Sequence, residues 1–131
     1  LKTKNQILKF DFQAPDLKSD PFLLKTAIMR ALHNATKFGK VQSEILIQSS
    51  LSATGQFVLK IQNQGPLISQ NILDKILKPF QLDENVMNHS VGMGLGLTIC
   101  NTLMKALSGR MEIENHTEVQ NEGVRVLFYL P

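Results

Sequence analysis

Two apolar-alternating runs, Glu44 to Leu51 and Phe57 to Gln62, lie on either side of Ser52-Ala53-Thr54-Gly55. A period of two marks a half-buried strand, and a glycine-bearing turn between two such runs predicts an antiparallel hairpin. Phe57, Leu59 and Ile61 are expected to face the core. A hairpin mid-chain argues against a doubly wound parallel sheet, so the flanking segments decide what covers it.

Those segments are helical on both sides. Asp20 before Pro21 is a helix-start signal, a capping carboxylate followed by a residue whose missing N–H is no loss in the first turn. The predicted helix runs to about Phe38 and stops near Gly39. Before it, Leu8, Phe10 and Phe12 alternate with polar neighbours and predict a first, half-buried strand. After the hairpin, Ser69 caps a short helix through Leu77 that Pro79 ends. Gln81 to Val91 is polar with no period and reads as a loop. A helix from about Leu97 to Leu107 ends at Ser108-Gly109, and strands Arg110 to Glu114 and Val124 to Leu130 close the chain around Gly123. The expected fold is α/β, a two-layer sandwich whose mixed sheet carries its helices on one face.

Composition fits one domain over residues 1–131. The chain has 131 residues, 43% of them hydrophobic, enough to bury a core without staples. Its net charge of +3 is spread along the sequence with no basic block, so no nucleic-acid partner is implied. Cys100 is the one cysteine; it falls in an apolar helical run, which favours a packed thiol in a reducing compartment. No apolar run approaches the roughly 18 residues of a membrane span. An opening Leu1 in place of methionine leads to the expectation of a piece of a longer protein.

Three places carry chemistry. On the first long helix, Leu24, Ile28, Ala31, Leu32 and Ala35 form the apolar face, with Asn34 at its edge and Arg30 and Lys37 just beyond. Such a stripe is ordinarily a solvated flank, yet an asparagine at a core rim needs partners for its amide, which a metal or phosphate would supply. Ile61-Gln62-Asn63-Gln64-Gly65-Pro66-Leu67 is a strand running into a turn; an amide there suits an adenine edge, and Gly65 would let a flat base approach the backbone. Gly92-Met93-Gly94-Leu95-Gly96-Leu97 opens a helix, and glycine N–H groups at a helix start favour phosphate. The P-loop pattern is absent, and the dinucleotide fingerprint needs a different glycine spacing directly after a strand.

In this order the three places resemble one family, the GHKL (Bergerat-fold) ATP-binding domains, and within it the catalytic domain of two-component sensor histidine kinases. Leu32-His33-Asn34-Ala35-Thr36-Lys37-Phe38 resembles the N box, Asn63-Gln64-Gly65-Pro66 the G1 box, Lys78-Pro79-Phe80 the F box and Gly92 to Leu97 the G2 box. Gly123 through Phe128-Tyr129-Leu130-Pro131 is similar to the family's closing strand.

The resemblance implies ATP and Mg²⁺. It puts Arg30, Asn34 and Lys37 in the catalytic set, with Asn34 on the metal and Lys37 on phosphate. Asn63 and Gly65 would read adenine and Phe80 would anchor a lid over Gln81 to Val91. Gly92, Gly94, Leu95, Gly96 and Leu97 would wrap the phosphates. The γ-phosphoryl would pass to a histidine on a separate dimerisation domain of the parent, a homodimer, and then serve a response-regulator receiver domain. The domain would be cytoplasmic, its parent soluble or anchored in the inner membrane. None of His33, His89 and His116, the last assigned to a late turn, has the acceptor context.

Four positions depart from the family pattern: Asn63 stands for the usual aspartate, Arg30 for the first N-box asparagine, Leu67 for the second G1 glycine and Val124 for a common threonine. Arginine cannot act as a base at neutral pH, which disfavours the water-using chemistry of gyrase-like and chaperone-like members. The alternatives are a non-catalytic nucleotide-binding or docking module of the same fold and an anti-sigma-factor-type serine kinase.

Overall fold

The two faces of the sheet differ in chemistry, and that difference sets the architecture. A computed structural model of the chain describes residues 6–12, 19–77, 94–117 and 122–131. The described residues form five strands, β1 (Ile7–Phe12), β2 (Glu44–Leu51), β3 (Phe57–Gln62), β4 (Arg110–His116) and β5 (Gly123–Leu130). Among the same residues are three helices, α1 (Pro21–Phe38), α2 (Gln70–Ile76) and α3 (Gly94–Ala106). The sheet order is β1-β2-β3-β5-β4. β1 runs parallel to β2 and the other neighbours are antiparallel, which makes the sheet mixed as expected.

The predicted hairpin forms in the register Ile47↔Ile61, and Gly55 takes the positive φ of 84° that its turn requires. On one face of the sheet, Ile45, Ile47, Leu59, Ile61, Ile113, Val126 and Phe128 are buried with Ala27, Ala31, Leu97, Cys100 and Met104 of the helices. Burial of that apolar surface is the main force holding helices to sheet. The opposite face mixes polar and charged residues, Gln48, Lys60, Glu112, Glu114 and Arg125, with Leu46, Val58 and Leu127. Arg110 lies over the Tyr129 ring at 3.8 Å and pairs with Glu112 at 2.9 Å. A hydrogen bond from Tyr129, ahead of that ion pair, holds the Glu112 carboxyl below its usual range.

The ends of α1 follow the sequence rules at one end and depart at the other. Asp20 caps it, its carboxylate accepting from the N–H groups of Phe22 (2.9 Å) and Leu23 (3.0 Å). Gly39 ends it where expected, in an extended conformation, φ −71°, and not in the left-handed one common for a terminal glycine. Glycine is needed there for space, since a Cβ would come within 2.5 Å of the Ala35 carbonyl oxygen. At the end of α3 the left-handed residue is Ser108, φ 60°, and Gly109 N–H donates to the Met104 carbonyl at 2.8 Å.

Two further expectations are corrected. β1 forms, but Leu8 and Phe10 are 47% and 57% exposed, because α1 and α3 pack over the strands from β2 to β4 and leave this edge strand outside their cover. α3 begins at Gly94, three residues before the expected Leu97, so Gly94 and Gly96 belong to a helical turn. Pro79, Phe80, the loop Gln81 to Val91 with its His89, and Gly92 and Met93 lie outside the described residues. Of Gly94 and Leu95 the backbone alone is described.

Candidate functional site

Asn34 lies deeper than helical periodicity indicated. It is 5% exposed, inside the apolar face of α1 instead of on its edge, while Arg30 and Lys37 stay exposed beside it. Its Oδ1 is buried with no hydrogen-bond partner among the described residues. An orphaned buried carbonyl oxygen costs about 1–3 kcal/mol, and such an atom suits a hard cation or a ligand that supplies the missing contact. Lys37 Nζ sits 5.6 Å from the centroid of the Phe38 ring.

The carboxyl-terminal end of α1 is stitched to the segment that leaves β3. Asn63 Nδ2 donates to the Ala35 carbonyl at 3.4 Å, and Lys40 N–H donates to Gln64 O at 2.6 Å. A Cβ at Gly65 would meet Phe38 O at 2.6 Å. Glycine at 65 is therefore required by backbone contact with α1, a reason different from the open approach of a base. Asn63 is buried, and its Oδ1 accepts from Val124 N–H at 2.9 Å, which leaves one lone pair on that oxygen for another donor. Asn34, Asn63 and Gly65, far apart in sequence, thus meet at one end of α1.

α3, which opens with Gly94 and Gly96, packs along the same helix. Cys100 Sγ donates to Ala27 O at 3.4 Å across that contact. Burial pushes the thiol up to about 12, as suits a packed core cysteine. Leu97, expected in the phosphate wrap, is fully buried in the core and acts by seating the first turn of α3. Among the described residues, a Cβ at Gly96 would meet nothing within 4 Å. Gly96 therefore has open space beside it within the described part of the fold, at the helix end whose N–H groups have no partner within the helix.

Three residues not singled out beforehand shape this region. Asn101, mid-helix on α3, is buried and donates to Leu77 O at 3.3 Å, fixing the end of the chain that enters the Lys78-Pro79-Phe80 segment. Its signal was the one that pointed to Asn34, a poor helix former among apolar neighbours. Asn115 takes both backbone groups of Ile68, N–H to Oδ1 and Nδ2 to the carbonyl, each at 2.9 Å. His116 is the last residue of β4 and buried, not part of a turn, and its Nε2 lies 2.8 Å from Asn63 O. His33 is exposed on α1. The described residues contain no His, Cys, Asp and Glu group able to hold a metal, and no helix long and apolar enough to cross a membrane.

Residues 19–131 match the family model of the histidine kinase-, DNA gyrase B- and HSP90-like ATPases. Sensor histidine kinase AtsR of Burkholderia thailandensis is 28% identical over 125 residues, 91% of this chain and 20% of that protein. The cell-division control histidine kinase PdhS of Brucella canis is 22% identical over 84% of this chain and 12% of its own length. The chain therefore spans a small part of these relatives. Among solved structures, the catalytic domain of histidine kinase ThkA superposes with a TM-score of 0.75 at 25% identity, over 98% of this chain and 80% of that one. The mycobacterial sensor histidine kinase MprB gives 0.79 at 20% identity, over 98% and 83%. With Asn34 and the Asn63–Gly65 segment brought to the end of α1 and Gly94 and Gly96 opening α3 beside it, the chain belongs to the histidine kinase-, DNA gyrase B- and HSP90-like ATPase family.

Proposed function

We propose that this domain binds Mg-ATP and donates the γ-phosphoryl group to a histidine on a separate dimerisation domain of its parent. The observation that carries the reading is the buried Asn34 Oδ1, without a partner among the described residues and set between the exposed cations Arg30 and Lys37. A fold that bore Asn34 for stability alone would satisfy that oxygen. Asn34 Oδ1 would hold Mg²⁺, whose chemistry there is to neutralise phosphate charge. Lys37 is the cation on the phosphates, and the N–H groups at the start of α3, with Gly96 facing open space, suit their oxygens. Asn63 Oδ1 has a lone pair for an adenine amino group, and Phe80 is the proposed lid anchor.

In the transfer the bond between the γ-phosphorus and the ADP oxygen breaks and a bond to the acceptor imidazole nitrogen forms, the imidazole proton leaving to solvent. Arg30, on the same α1 flank, cannot take a proton from water, so the domain positions and neutralises and leaves the nucleophile to its partner. The relatives named as sensor histidine kinases support the same arrangement. In it the parent is a homodimer whose phosphohistidine serves a receiver domain, and this domain works in the cytoplasm.

One observation favours a second reading. The Asn63 amide is bonded within the fold on both its atoms, as a non-catalytic descendant kept for docking would have it. Calorimetric titration with ATP, with and without Mg²⁺, followed by transfer from γ-labelled ATP to the parent's dimerisation domain, separates the two. Mg²⁺-dependent binding with acid-labile label on the partner supports the kinase. Binding without transfer promotes the docking module, and label on a serine points to the serine kinase.

A further inference from the structure

The chain leaving β3 gives the Asn63 N–H to Val124 O and the Gly65 N–H to Glu122 O, each at 3.0 Å, and two adjacent residues at the end of β4 take further backbone groups of the same segment. Asn115 pairs in register with Val124 and His116 with Gly123, so the two side chains leave opposite faces of the sheet. On the core side Asn115 takes both polar groups of Ile68 at 2.9 Å. On the other side His116 reaches Asn63 O at 2.8 Å. Gly123 makes that reach possible: a Cβ there would stand 2.1 Å from the same oxygen. A carbonyl only accepts, so Nε2 carries a proton. Nδ1 is buried with no partner among the described residues, a cost in stability that a histidine chosen for stability alone would not carry.

We propose that Asn115 and His116 are positioning residues for nucleotide recognition, a clamp that holds segment 63–68 from its two ends and so fixes where Asn63 and Gly65 present themselves to the base. The inference rests on the ATP-binding reading and deepens it. Neither side chain touches the nucleotide. They act through the Asn63 carbonyl and the Ile68 backbone, and loss of either end lets the segment shift relative to α1. Base selectivity, which depends on sub-ångström placement of one amide, is the property that shift degrades first.

The test is calorimetric titration of this chain with Mg-ADP and Mg-GDP, alongside amide hydrogen exchange at Gly65 and Ile68. The unaltered chain is expected to prefer ADP. His116→Ala and Asn115→Ala are each expected to weaken Mg-ADP about tenfold, to lose most of the ADP preference and to speed exchange at both amides. His116→Gln, whose amide can donate to the Asn63 carbonyl, is expected to restore affinity to within about threefold. Should His116→Ala not fold, Asn115→Ala and His116→Gln carry the comparison. Faster exchange with affinity and preference unchanged reduces the pair to a structural role and overturns the proposal while leaving nucleotide binding intact. Absence of binding by the unaltered chain overturns the ATP-binding reading, and this inference with it.

Discussion

Asn63 Nδ2 donates to the carbonyl of Ala35 at 3.4 Å, which sets a strand-end asparagine against the residue that follows Asn34 on α1. The family's usual aspartate would place a carboxylate oxygen against that carbonyl, two acceptors with no proton between them. Asn63→Asp is therefore expected to destabilise the nucleotide-free chain by about 1–3 kcal/mol, the cost of an unsatisfied buried group. It is also expected to tighten Mg-ATP, because a charged acceptor bonds an amino group more strongly. Urea unfolding and calorimetry on one preparation check both signs; weaker binding by a folded aspartate variant removes Asn63 from the base site.

Asn34 gives the opposite trade. Its Oδ1 has no partner among the described residues, so an apolar residue of similar size should lose little. Asn34→Leu is expected to leave stability within about 1 kcal/mol of the parent or raise it, and to abolish the Mg²⁺ dependence of nucleotide binding. A loss of several kcal/mol with metal dependence intact would show that the amide is a core group and nothing more.

What could be read from the sequence was what neighbours in sequence decide. The Asp20 cap, the hairpin with Gly55, the two long helices and the order of strands and helices along the chain depend on period and turn chemistry, and they form as the residues indicate. What depends on partners far along the chain was not legible. Leu8 and Phe10 alternate like a half-buried strand, but no periodicity tells which strand the helices will cover. Asn115 meets a residue 47 positions away and His116 one 53 away, so neither leaves a local mark. Ser108 takes the left-handed position at the end of α3, and the glycine beside it serves space instead, since a Cβ at Gly109 would stand 2.3 Å from Tyr129 O. The site was legible as a set of residue types; the depth of Asn34 and the engagement of Asn63 come from the packing of α1 on the sheet.

Cys100 gives a pH signature. Burial pushes its thiol from 9.0 to about 12. Below pH 9 the thiol is protonated in both folded and unfolded chains and contributes no pH dependence. Between pH 9 and 12 the unfolded thiol ionises while the folded one holds its proton, so stability falls by about 1.4 kcal/mol per pH unit. Other groups of the chain can respond to pH as well, and the measurement is therefore the difference between the parent and Cys100→Ala in urea unfolding from pH 8 to 11. Parallel curves would mean that the thiol ionises as easily folded as unfolded. Thiol reagents should react only as fast as the chain opens.

Gly96 separates fold from function within one residue. It sits in the first turn of α3, and an added Cβ would meet no atom of the described residues within 4 Å. Glycine in a helix is less stable than alanine by up to about 1 kcal/mol, so Gly96→Ala is expected to raise the unfolding midpoint slightly. If that open space is where phosphate oxygens approach the N–H groups of the turn, the same methyl group occupies it, and Mg-ATP affinity should fall about tenfold. Adenosine, which has no phosphate, should bind the variant and the parent alike if it binds at all. A more stable variant with undiminished ATP affinity would mean that the space beside Gly96 lies outside the nucleotide site, and that the phosphates, if bound, meet the chain through other groups.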